Sequence, residues 1–222
     1  MKTLRFFLLD IYFQWKHGIY ALCAVLTVFC LCGLSLFEGQ SGMKNSAALI
    51  LSAAEVMGFC FTGSLIRHEK QHEILRKGAG AKRYIAAKAA SLAVLIGIVG
   101  IISVIFADIP HPLIAEIGIL LISSIATMLA IIPALKIKAK CFFDLASLLL
   151  GAIVFIPPFF AFFKGSSTFW RIHPAVAAAE LIIGRIDTAL LDICTLGVWN
   201  VVFWLVCVSS VKASFEKSEV VG

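Results

Sequence analysis

The chain has 222 residues, 61% of them hydrophobic and only 14% charged, with a mean hydropathy of +1.00. That leaves too little polar side chain to cover a water-soluble globule, so lipid must surround most of the molecule. The formal charge of +6 sits in short clusters between apolar runs rather than along one face, which speaks against a nucleic-acid binder and makes the charges orientation signals.

Residues 1–16 open the chain with Leu4, Leu8, Ile11 and Trp15 at helical spacing and Thr3, Asp10, Gln14 and His17 on another arc. This pattern predicts an amphipathic helix lying along the membrane interface; the plainer alternative is an extension of the first span. Asp10, Gln14, Lys16 and His17 interrupt any signal-peptide core, so the segment is expected to be retained. Apolar runs of about 20 residues, the length a helix needs to cross a bilayer, then recur along the chain. The predicted spans are 18–37, 46–66, 85–106, 113–135, 141–163 and 192–211. Between the fifth and sixth, Pro174 starts a short helix within 173–186, placed against the outer surface and able to dip in. The fold class expected is therefore all-α, one polytopic membrane domain with six transmembrane helices.

Of the 19 Lys and Arg residues, 15 fall on the side of the N-terminus: three in 1–16, seven in 67–88, three in 136–140 and two in the tail. Lys44, Lys164, Arg171 and Arg185 make up the other side. The positive-inside rule then places both termini in the cytoplasm. The seven cysteines lie mostly within apolar runs and show no C-x-x-C ligand spacing, so they read as packing or lipid-facing residues.

The most polar stretch, 67–84, mixes Arg67, Lys70, Arg76, Lys77, Lys82 and Arg83 with Glu69 and Glu73. It comprises a short amphipathic piece (69–77), a flexible break at Gly78 and Gly80, and a basic start to the third span. An anchor that merely holds orientation needs no carboxylates, so the alternation of sign favours a docking element over a headgroup anchor. Glu69, Glu73, Ile74, Leu75, Tyr84 and Lys88 in this order resemble the type 2 ABC export permeases, with His72 in place of a usual Gly and no turn Pro near Gly78. That resemblance implies a coupling helix, seated through Glu69, Glu73, Ile74, Leu75, Arg76 and Lys77 on a separate ATP-hydrolysing subunit. It also implies a dimer of permeases in a bacterial cytoplasmic membrane. No G-x-x-x-x-G-K-[ST] phosphate loop is present, so ATP and Mg are expected on the partner chain, with no cofactor and no catalytic residue here.

Glu55 falls midway along the second span, where a charged carboxylate is costly, so it must face protein or water or carry a proton. It either lines a substrate path or hydrogen-bonds a neighbouring helix. Asp144 and Lys140 are spaced for an interfacial pair, and Lys88 is placed to snorkel. Glu116, Glu180, Asp187 and Asp192, with His111, His173, Arg171 and Arg185, read as a solvated outer rim without metal or protease spacing. An intramembrane enzyme or an accessory anchor subunit remains the alternative to transport.

Overall fold

The computed structural model describes residues 2–37, 39–72, 80–137, 143 and 168–220. These residues form helices and connecting turns, with no strand among them. The helices are α1 (Lys2–Lys16), α2 (Ile19–Leu34), α3 (Gly39–Val56), α4 (Thr62–His72), α5 (Ala81–Phe106), α6 (Pro112–Lys136), α7 (Pro174–Ile183) and α8 (Ala189–Val220). A π-helical turn, Met57–Phe61, joins α3 to α4, and a 3-10 turn, Thr168–Ile172, leads into α7.

Among the described residues, four stretches are long and apolar enough to cross a membrane: Gly42–Arg67, Ala81–Phe106, Pro112–Lys136 and Ala189–Ser214. With its 16 residues α2 reaches only about 24 Å, short of the roughly 30 Å of a hydrocarbon core, so alone it falls below that standard. Taken with α1 it would make a fifth span, but the two are bent by 69°. The bend has a local cause. Gly18 takes a left-handed conformation (φ 68°) that side-chain-bearing residues rarely adopt, and it ends one helix while starting the next. The fifth predicted span, 141–163, lies outside the described residues except for Phe143.

The second and fourth predicted spans keep close to their expected limits. The third begins earlier, at Ala81, because residues 81–84 continue the helical hydrogen bonding from Gly80. The last runs on to Val220, so most of what was expected to be a tail is helix.

At the centre stands α6, packed against α3, α4, α5, α7 and α8. Small residues let the backbones close in. A side chain at Gly118 of α6 would come within 2.9 Å of the Leu181 Cβ and 3.2 Å of the Ala178 carbonyl on α7. The short helix α7 is buried from Pro174 to Ile182, wedged among α3, α6 and α8 instead of lying on the surface. Its composition explains this: Ala175, Ala177, Ala178 and Ala179 allow close approach on every side. Its ends are closed by the His173 Nδ1, which accepts the Ala175 N–H at 3.3 Å, and by Gly184 (φ 83°), whose N–H meets the Leu181 carbonyl at 2.9 Å. By contrast α2, α5 and α8 each turn an apolar face outward, exemplified by Phe29, Ile98 and Leu205. Such faces belong in lipid, and the chain is a multi-pass membrane protein.

Candidate functional site

Two places combine buried polar groups with unusual local structure. The first joins α1 to the beginning of α5. Asp10, Gln14, Lys88 and Ser91 are all buried. The Lys88 ammonium donates to Asp10 Oδ1, and the Ser91 hydroxyl donates to Asp10 Oδ2. The Gln14 amide adds bonds of 3.0 Å to Asp10 Oδ2 and 2.9 Å to Ser91 Oγ. Both carboxylate oxygens are thus engaged, and the opposite charges lie within one ion pair whose side chains are only 2% and 5% exposed. Lys88 does not snorkel, as its position one turn inside the helix suggested; an acid 78 residues away neutralises it in place.

The same arrangement explains the outer face of α1. With Asp10 and Gln14 turned inward, Leu4, Leu8, Tyr12 and Trp15 project outward, all more than half exposed. This is the inverse of a soluble protein's surface helix and suits a helix whose outer side meets lipid. Arg5 and Lys16 are exposed beside this stripe.

The second place is the middle of Gly42–Arg67. Glu55 is 2% exposed, and neither of its carboxylate oxygens has a hydrogen-bond partner among the described residues. Two residues later the helix widens into the π turn Met57–Phe61, a feature often found at functional positions. The π turn sits close on α6: a Cβ at Gly58 would lie 3.0 Å from both the Ala126 Cβ and the Ser123 carbonyl. Thr62 Oγ1 donates back to the Gly58 carbonyl at 2.5 Å. The Cys23 thiol reaches the Met57 thioether at 3.9 Å, tying α2 to the same turn.

The expected docking residues are only partly in view. The Glu69 backbone belongs to the last turns of α4, while Glu73, Ile74, Leu75, Arg76 and Lys77 lie outside the described residues. Ahead of them Arg67 places its guanidinium 4.8 Å from the centre of the Phe143 ring, a cation-π contact that fixes the end of the span. The expected Lys140 and Asp144 pair also lies outside the described residues.

The acids expected to form a solvated rim are mostly buried instead. Glu180 and Asp192 are 6% and 0% exposed, and Glu116 is 9% exposed, whereas Asp187 is exposed. The reason is α7: drawn into the bundle, it takes Glu180 with it. Arg185 then pairs with Glu180 at 3.0 Å, and Arg171 approaches the same oxygen at 4.0 Å. Asp192 accepts from Thr188 at 2.9 Å, and its other oxygen is unpartnered among the described residues. Burial lowers the pKa of His173, which keeps its imidazole neutral and able to cap α7. Glu116 lies over the Gly97 and Gly100 positions of α5, where a Cβ would come within 2.8 Å of its carboxylate oxygens.

Among the described residues no group of three or more His, Cys, Asp and Glu side chains could hold a metal ion. Cys23, Cys30, Cys32, Cys194 and Cys207 are free thiols. Sequence reasoning noticed Asp10 and Lys88 separately and missed that they meet. The available signal was that Asp10 is the sole acid of residues 1–16 and Lys88 the sole charge of the span predicted at 85–106. Comparison of the chain with models of protein families, with curated proteins and with solved structures found no match. What the molecule establishes by itself is its class, an all-helical multi-pass membrane protein.

Proposed function

We propose that this chain is the permease subunit of an ATP-driven exporter of the type 2 ABC class. Two copies would form the translocation path in a bacterial cytoplasmic membrane, with six spans and both termini on the cytoplasmic side. A separate ATPase would dock through residues 67–84, using Glu69, Glu73, Ile74, Leu75, Arg76 and Lys77.

The observation that carries this reading is the placement of α1. It is a separate helix at 69° to α2, with its apolar stripe outward and its polar face bound to the start of α5, the helix that follows the docking segment. An interfacial helix joined to the base of the third span is what a permease driven from its cytoplasmic face requires. The helix between the fifth and sixth spans and the excess of Lys and Arg on the N-terminal side support the same layout.

The test is affinity purification of the tagged chain from gently solubilised membranes, with a Glu73→Lys, Leu75→Asp double variant alongside. An ABC-type ATPase that co-purifies with wild type and is lost with the variant is the expected result. Absence of any ATPase across several mild detergents overturns the reading.

A second reading, an intramembrane enzyme or accessory subunit working without ATPase, draws on the unpartnered carboxyl of Glu55. It requires activity from the isolated chain that Glu55→Gln abolishes.

A further inference from the structure

The C-terminal half of α1 carries two attachments of opposite kinds. Toward α5 it is held at two points one turn apart, Asp10 and Gln14, by two groups one turn apart, Lys88 and Ser91. Two-point attachment fixes rotation as well as distance. It also resists separation, because parting the buried ion pair would leave each charge without compensation in apolar surroundings. Toward α2 the connection is the His17–Gly18 turn, where Gly18 has a φ of 68° and a Cβ would meet no atom within 4 Å. Gly18 itself is the most permissive residue type with room around it, and a contact between the Trp15 and Tyr20 rings, 5.8 Å apart, spans the joint. A body fixed on one side and jointed on the other moves with the side that holds it.

Resting on the permease reading above, we propose that Asp10 is a positioning residue that makes α1 and the base of α5 one rigid unit. Displacement of that base by ATPase closure carries the N-terminal helix with it, pivoting at Gly18 relative to α2. The outward stripe of Leu4, Leu8, Tyr12 and Trp15 suits such movement, since an apolar face in lipid has no fixed partner to break. Asp10 touches neither cargo nor nucleotide in this scheme. It acts through Lys88.

The experiment uses the full chain with its co-purifying ATPase in lipid nanodiscs. Hydrogen exchange is followed over residues 2–16 and 81–91, with and without ATP plus vanadate. In wild type both segments are expected to change together when nucleotide is trapped. In an Asp10→Leu, Lys88→Met double variant, which removes both charges at once, the 81–91 response is expected to persist and the 2–16 response to be lost. Transport by this variant should fall while ATP hydrolysis continues, an uncoupling that a merely stabilising contact would not produce. An equal 2–16 response in the double variant overturns the proposal, as does a wild-type protein in which only 81–91 responds. If the double variant is not recovered folded, Asp10→Asn with Lys88→Gln, which keeps hydrogen-bonding capacity without leaving one buried charge alone, gives the same readout and is judged by the same outcomes. If no ATPase is present in the wild-type preparation, the permease reading itself fails and this proposal falls with it.

Discussion

Asp10 and Glu55 are both acids buried on largely apolar helices, yet their surroundings differ completely. Each oxygen of Asp10 is taken, one by Lys88 and the other by Ser91 and Gln14, whereas neither oxygen of Glu55 has a partner among the described residues. Burial of a polar group is tolerable when its bonds are replaced and unfavourable when they are not. The first acid is therefore explained by the architecture it holds together. The second is not, and an acid that weakens its own surroundings is the better candidate for a role in function.

The sharpest way to break this contrast is to remove one charge of the pair. Lys88→Met leaves Asp10 buried without its counter-ion and is expected to lower stability by about 3–5 kcal/mol, read from thermal unfolding in mild detergent. The Asp10→Leu, Lys88→Met pair should recover most of that loss. Equal losses in the single and double variants would show that charge compensation is not what holds α1.

Next in size is a test of whether the surroundings of Glu55 are as tightly built. Gly58→Val places atoms against the Ala126 Cβ and the immovable Ser123 carbonyl, and should cost about 2 kcal/mol in the same assay. A neutral result would mean that the π turn can move away from α6.

Glu55→Leu is then expected to raise stability by about 1 kcal/mol, by removing a buried carboxyl that has no hydrogen-bond partner among the described residues. A fall in stability would reveal a partner and place Glu55 alongside Asp10.

The outer pair should matter less. Arg185 is 53% exposed on its side chain, so Arg185→Ala should change stability by no more than about 1 kcal/mol, with Arg171 still near Glu180.

Smallest of all is a pH effect from His173. Its folded pKa lies below the ordinary value of 6.5, so the unfolded chain takes up a proton before the folded one does. Stability should decrease as the pH falls below about 6.5. His173→Asn, which can still cap α7, should flatten that part of the thermal-unfolding profile.

How much of this was legible in the sequence depends on range. Gly18, Pro112, Pro174 and Gly184 are local signals, and each marks a helix end. Long apolar runs likewise announced the helices containing 46–66, 85–106, 113–135 and 192–211. What could not be read was contact between distant segments. The partner of Asp10 lies 78 residues on, and helical periodicity gives the face of a residue without saying what that face meets. How far α7 dips in was left open for a similar reason: its alanines fit an exposed helix or an enclosed one equally well, and the neighbours decide. The π turn has no periodicity signature in five residues, although the lone glutamate just before it was conspicuous. The docking role proposed for Glu73, Ile74, Leu75, Arg76 and Lys77 rests on the sequence alone.

The π turn also bears on how this span tolerates changes in length. A π turn accommodates a residue that a regular α-helix would not, and one residue corresponds to a rotation of about 100° around the axis. Deleting one residue within Met57–Phe61 would let the helix close into regular α form at the expense of turning Glu55 and the half of the span before it onto a different side. The two halves are thus set in a phase relation that the irregular turn alone maintains, and the aspect Glu55 presents to the bundle is fixed by the presence of a single surplus position.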